Sequence, residues 1–277
     1  MTCISGEDGS MHPRLSVSAV SSWQWTLDDD LRFWSEAGID HVGLSFRKLE
    51  EAGIDVAVAR VGNAGLRVSN IVELGWWDLA DRATWPAQQD RLFAAVDAAA
   101  ALGGCLVLTT GPARALDWNA AADALDDALA PVRSTAFANG VPLTVEHTGP
   151  LRLDLSFCTT LHDGIDLAGR LGIGVCMEIN SCFAERGLAA TIADAGAVLA
   201  HVQLSDFVIG SLCTPDRAVP GDGDIPLGAI VGMLRAAGYS GAFEIEMVGP
   251  RIEDEGYASA IRRAVAHVDR LLDGVLA

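Results

Sequence analysis

From Arg14 onward, eight short runs rich in β-branched and apolar residues alternate with Ala/Leu/Asp/Arg-rich stretches whose apolar residues recur at spacings of three and four, a rhythm that few architectures accommodate. The runs at 15–19, 41–44, 67–72, 105–109, 143–146, 174–178, 201–205 and 243–247 predict strands. The stretches at 27–37, 86–102, 119–139, 154–171, 188–197, 227–237 and 257–272 predict helices, with a weaker one over 47–62. Gly38, Gly103, Gly140, Gly172 and Gly238 each follow a helical run, where a left-handed closing residue is wanted before the next strand. Such an α/β chain fits a single-domain (β/α)8 TIM barrel, whose active site is built by the loops after the strand carboxyl ends. A doubly wound sheet is the competitor, yet no G-x-G-x-x-G turn follows an early strand. No linker or low-complexity break interrupts 14–277, so one barrel domain is expected there. Residues 1–13, Gly/Ser/Asp-rich over 1–10, are expected to be a disordered extension.

Charge narrows the function. With 19 Lys+Arg against 37 Asp+Glu the net charge is −18, which repels phosphate backbones and anionic lipid and argues against nucleic-acid or membrane partners. The six cysteines show no C-x-x-C spacing and read as reduced core residues of a cytoplasmic protein. No run of 18 apolar residues and no signal-peptide pattern is present, so cytoplasmic localisation is expected. The expected partner is a small-molecule substrate, and self-association into a homo-oligomer remains open.

Four late strands end in polar residues: Glu146 in Leu-Thr-Val-Glu, Glu178 in Val-Cys-Met-Glu, Gln203 in His-Val-Gln and Glu246 in Phe-Glu-Ile-Glu. An ionised carboxylate is costly in a buried parallel strand unless it is paired. Three converging at one mouth must be protonated, spread apart or neutralised, and a divalent ion is the economical solution. An all-oxygen donor set of Glu146, Glu178, Gln203 and Glu246 suits Mn²⁺ or Mg²⁺ better than zinc. The bland account is that these are solvent-facing strand-end residues.

On these residues the chain resembles the sugar phosphate isomerase/epimerase superfamily of xylose-isomerase-like barrels, which contains ketose 3-epimerases and inosose-processing enzymes. The resemblance runs from about Arg14 to the C-terminus and is strongest from Val145 onward. It implies one divalent metal held by a Glu, an Asp, a His and a Glu at the ends of strands five to eight. Glu146 and Glu246 match directly, and Glu246 lies five residues after Gly241 of Gly-Tyr-Ser-Gly, as the family's metal Glu does. The stretch 216–226, Asp-Arg-Ala-Val-Pro-Gly-Asp-Gly-Asp-Ile-Pro, resembles the family's loop after strand seven, which implies that Arg217 faces the substrate. Glu178 stands where an Asp is usual and Gln203 where a His is usual. Ser181 stands where ketose epimerases carry a sugar-contacting His.

The activity so implied is a metal-assisted proton shift beside a carbonyl in a sugar-like or cyclic hydroxyketone, that is, an isomerase or epimerase. Glu146 and Glu246 are the expected catalytic acid and base, acting on opposite faces. A lyase, either a dehydratase or a C-glycoside-cleaving enzyme, would use the same proton abstraction, and a noncatalytic ligand-binding barrel is a further alternative. Metal-rich DNA-repair endonucleases share the fold, but the charge and the lack of a His-rich ligand set argue against them.

Other residues carry weaker expectations. His201 and Glu244 lie two residues before Gln203 and Glu246, hence on the same inward face, and are expected to orient the ligands from behind. His147 is expected to contact substrate from the loop after Glu146. Trp23 and Trp25 follow strand one, and Trp76 and Trp77 follow strand three. Trp25, Trp76 and Trp77 are expected to bind substrate through apolar faces, with rim packing as the competing account. Tryptophans in the pocket would favour a substrate larger or flatter than a bare triose or pentose. Lys48 and Glu73 are further candidates for polar pocket groups.

Overall fold

Strand by strand, alternate side chains go to opposite faces, and the chain uses this to build two unlike interiors. The computed structural model describes residues 11–276. Its strands are β1 (Leu15–Ser18), β2 (His41–Ser45), β3 (Arg67–Glu73), β4 (Cys105–Leu108), β5 (Leu143–Glu146), β6 (Gly174–Glu178), β7 (Leu199–Leu204) and β8 (Phe243–Ile245). All pair in parallel in sequence order, and β8 returns to β1 to close the barrel. Helices α1 (Leu27–Ala37), α2 (Phe46–Ala52), α3 (Ile54–Asn63), α4 (Trp85–Leu102), α5 (Trp118–Ala138), α6 (Leu161–Leu171), α7 (Ile179–Cys182), α8 (Leu188–Ala195), α9 (Leu227–Ala236), α10 (Pro250–Glu255) and α11 (Tyr257–Leu276) complete the fold. Outward-facing Val17, Leu44, Leu106, Val145, Val202 and Ile245 belong to the large core. A smaller cluster contains Val72, Cys105, Val107 and Cys176.

The strands fall where they are expected, within about two residues, the usual uncertainty of element ends. Helices differ in four places. The 47–62 helix is broken by Gly53, whose φ of 82° ends α2 and starts α3. The 154–171 helix begins only at Leu161, capped by Thr160 accepting the Asp163 N–H at 3.0 Å. The segment before it instead hydrogen-bonds Gly111, with Gly111 N–H reaching Leu155 O at 2.8 Å and Phe157 N–H reaching Gly111 O at 3.0 Å. The short α7 and α10 were not anticipated.

The expected N-terminal extension is also shorter. His12 N–H donates to Asp269 Oδ1 at 2.6 Å and Met11 packs on the core, so 11–13 belong to the barrel. Residues 1–10 of that extension, Cys3 included, lie outside the described residues. Cys105, Cys158, Cys176 and Cys182 are buried and unpaired as expected, but Cys213 is exposed. Among the described residues, no helix is long and apolar enough to cross a membrane.

Candidate metal centre

Glu146 closes β5 and Glu178 closes β6, and Glu246 follows β8, where its N–H extends the ladder to Leu204 O at 3.0 Å. One carboxylate oxygen from each lies within 4.8 Å of those from the other two, and all three residues are buried. Gln203, near the end of β7, donates from Nε2 to Glu246 Oε2 at 2.8 Å, and its Oε1 accepts from Cys176 Sγ at 3.4 Å. The four strand-end residues therefore meet. As placed, Gln203 turns its N–H toward the carboxylates, so serving as a ligand requires its amide to turn over.

Glu178 is held on both oxygens. Oε1 accepts the Asn180 N–H at 2.9 Å, capping α7, and Oε2 pairs with the Arg217 guanidinium. Arg217 also donates to Ser205 Oγ at 3.3 Å. Glu146 makes no hydrogen bond among the described residues, and its carboxyl is pushed up to about 8 by burial and then by the charge of Glu178, against the opposing pull of Arg217. Burial and the neighbouring Glu146 raise Glu246 well above the ordinary carboxylate range.

Arg217 is aimed by its loop. Asp206, just past β7, accepts backbone N–H groups from Phe207 (2.9 Å) and Ile225 (3.0 Å) on Oδ1 and from Gly221 (2.9 Å) and Gly223 (3.1 Å) on Oδ2. A Cβ at Gly223 would lie 2.3 Å from Asp206 Oδ1, so only glycine permits this approach. The loop is thus tied at both ends to one buried carboxylate, and Arg217 N–H is fixed on Val248 O at 3.0 Å.

A cavity of about 910 Å³ opens above this floor, lined by Glu146, Glu246 and Arg217. Glu178 and Gln203 are fully buried. The donor set fits a divalent ion: hard cations bind oxygens at roughly 2.0–2.6 Å, so oxygens sharing one ion lie up to about 5 Å apart. The separations in the cluster fall inside that limit.

Several expected roles are not supported. His147 continues the β5 alternation and points outward, fully buried beside Gly164 of α6, with neither ring nitrogen hydrogen-bonded. Burial drives its pKa down to about 3, so it stays neutral and away from the cavity. Trp77 is 2% exposed and belongs to the core. Trp25 packs edge-on against Phe33 and Tyr257, with ring centroids 5.3 and 5.5 Å away, and does not line the cavity. Trp76 does line it, as does Trp23. His201 Nε2 and Glu244 Oε2 are 2.9 Å apart, and Asn70 Nδ2 donates to Glu244 at 3.2 Å. These residues hold one another in the barrel interior instead of gripping the four strand-end residues. Lys48 is buried on Asp30 Oδ2 at 2.6 Å and on Ser22 O at 2.9 Å, away from the pocket, whereas Glu73 reaches the cavity wall with Arg91 Nε 2.6 Å away. Ser181 lines the cavity.

Sequence reasoning missed Asp206, Arg152 and the rings of Phe183 and Phe207, the last three of which line the cavity. Asp206 had a usable signal, an acidic residue at a strand end followed by a glycine-rich loop. Arg152 had none beyond its place in a loop after a strand.

The family model of the xylose isomerase-like TIM barrel matches residues 31–267. An inosose isomerase from Halalkalibacterium halodurans is 26% identical over 132 residues, 45% of this chain and 46% of that protein, so the match spans about half of that relative's length. Among solved structures, protein SMc04130 from Sinorhizobium meliloti 1021 has a TM-score of 0.85 at 26% identity, covering 94% of this chain and 98% of that one. The IolI protein, solved with a bound zinc atom, has a TM-score of 0.81 at 17% identity over 95% of this chain and 99% of that one, a likeness of fold.

Proposed function

The chain belongs to the xylose isomerase-like TIM barrel family, and from that premise we propose that it is a divalent-metal-dependent isomerase or epimerase that moves a proton next to a carbonyl in a sugar-like or cyclic hydroxyketone. The observation that carries this reading is the set of three buried carboxylates with oxygens within 4.8 Å, two of which face a deep cavity. The inosose isomerase relative supports the substrate class, a cyclic polyol ketone.

Glu246, which accepts the Gln203 amide N–H until that amide turns, removes the proton, and Glu146, without a hydrogen bond among the described residues, returns one from its own side of the cavity. Both carboxyls hold protons more tightly than usual, and Glu146, raised to about 8, exchanges them near neutral pH. Arg217 anchors a substrate oxygen at the same floor. A divalent ion held by Glu146, Glu178 and Glu246, with Mn²⁺ or Mg²⁺ the natural match for oxygen donors and Gln203 as a fourth ligand after its amide turns, would stabilise negative charge developing on the carbonyl oxygen.

The test is deuterium incorporation, followed by NMR, into a panel of inososes and ketoses in D₂O with the Mn²⁺-loaded protein. Exchange at a carbon adjacent to the carbonyl is expected, and its absence from every member while Mn²⁺ is bound would overturn the reading. The metal itself should compete with protons. Because Glu146 is raised to about 8, it must lose a proton to become a ligand at lower pH, so Mn²⁺ affinity should climb between pH 6 and 8. The metal-free chain should do the reverse: its raised carboxyl binds protons more tightly folded than unfolded, so that stabilisation is complete below pH 4.5 and lost as pH rises through about 8. Titration of free Mn²⁺ by EPR checks the first, and a flat affinity across that range would exclude Glu146 as a ligand.

A further inference from the structure

The cavity is not walled for a sugar alone. Its floor is charged, but above the floor Trp76, Leu151, Phe183 and Phe207 line the same space. Trp76 is 57% exposed and Leu151 71% exposed, although both border a concave site. Large apolar side chains left in water at the edge of a cavity favour a ligand that covers them, by about 25 cal/mol for each Å² removed from water. A volume of about 910 Å³ lies at the upper end of the roughly 300–1,000 Å³ that holds drug-sized ligands, well beyond what a six-carbon ring fills.

The apolar wall and the charged floor are also built as one unit. Phe183 and Phe207 pack with centroids 6.1 Å apart, tilted at 43°. Phe183 N–H is bonded to Ile179 O at 2.9 Å, directly after the Glu178 cap. Phe207 N–H is bonded to Asp206, the carboxylate that also ties down the loop carrying Arg217. The distance between the reacting floor and the aromatic pair is therefore fixed by backbone hydrogen bonds. Ser181 lines the same cavity with a short side chain.

We propose that the substrate is two-ended: a hydroxyketone head at Glu146, Glu246 and Arg217, and a flat apolar substituent, aryl or polycyclic, lying against Trp76, Leu151, Phe183 and Phe207. This rests on the proton-transfer function proposed above and specifies its substrate class.

A matched pair of probes tests it, the phenyl and methyl glycosides of one keto-glucose, titrated calorimetrically into the Mn²⁺-loaded protein. The phenyl compound should bind at least about tenfold tighter, equivalent to about 1.4 kcal/mol. Trp76→Ala, at an exposed position where folding is unaffected, should remove at least about threefold of that advantage and leave the methyl compound unchanged, and Phe183→Ala should do the same. Equal affinities in the wild type, or equal weakening of both probes in the variants, would overturn the proposal. So would light scattering in which Trp76→Ala turns a dimer into a monomer with phenyl preference intact, because the wall is then a self-association face. If the methyl probe exchanges deuterium without any phenyl preference, the inference alone falls. If Mn²⁺ does not bind and neither probe exchanges, the proposed function falls with it.

Discussion

Glu246→Gln is expected to reduce deuterium exchange at the substrate carbon by at least about 1,000-fold, within the range of roughly 10²–10⁴ for removing a positioned general base. The replacement keeps the shape and the contact with Gln203 but cannot accept a proton. The loss should appear in kcat and kcat/KM alike, because the proton is transferred only in the transition state. Mn²⁺ content measured on the same sample separates lost proton transfer from lost metal, since Glu246 is also one of the three clustered carboxylates. Exchange within tenfold of wild type, with Mn²⁺ bound, would remove Glu246 from the reaction and leave Glu146 as the sole base.

Arg217→Ala should have the largest effect on stability, and only in metal-free protein. Arg217 is the cation paired with Glu178, which is fully buried. Removing it leaves a carboxylate among two others, with one N–H from Asn180 as its remaining partner. Breaking a buried pair in this way costs about 3 kcal/mol or more, which for a chain of this size lowers Tm by roughly 6–12 °C. Saturating Mn²⁺ should recover most of the loss, since an ion at the cluster replaces the missing charge. KM should rise more than kcat falls, as expected for an anchor. A variant that melts with wild type in EDTA would show that Arg217 is not the counter-ion of the cluster.

The barrel was legible because its determinants are local. Strand runs, helical spacing and glycines such as Gly38 and Gly172, each with left-handed φ at a helix end, all lie within a few neighbouring residues. The acidic floor was legible for a related reason: the strand-end position of Glu146, Glu178, Gln203 and Glu246 brings them together once the barrel closes. What failed depended on where a side chain goes after the strand stops. Trp76 and Trp77 are adjacent, yet one borders the cavity and the other is core, because a loop has no fixed alternation to read. His147 shows the converse: the alternation still held at that position, and the expectation of a turn toward substrate was wrong. His201 and Glu244 were rightly placed inward, but residues two apart along these strands partner differently, so the pair contacts Asn70 and not the four strand-end residues. Asp206 organises a loop through four backbone N–H groups contributed by residues as far away as Ile225, a relation invisible until the loop is folded.

Anomalous diffraction from crystals soaked in Mn²⁺ would locate a divalent ion shared by Glu146, Glu178 and Glu246. A single strong peak is expected inside the barrel mouth at bonding distance, roughly 2.0–2.6 Å, from oxygens of all three glutamates, with Arg217 drawn away from Glu178. A map without a peak there at saturating Mn²⁺, with the Arg217–Glu178 pair intact, would contradict a metal centre at these glutamates.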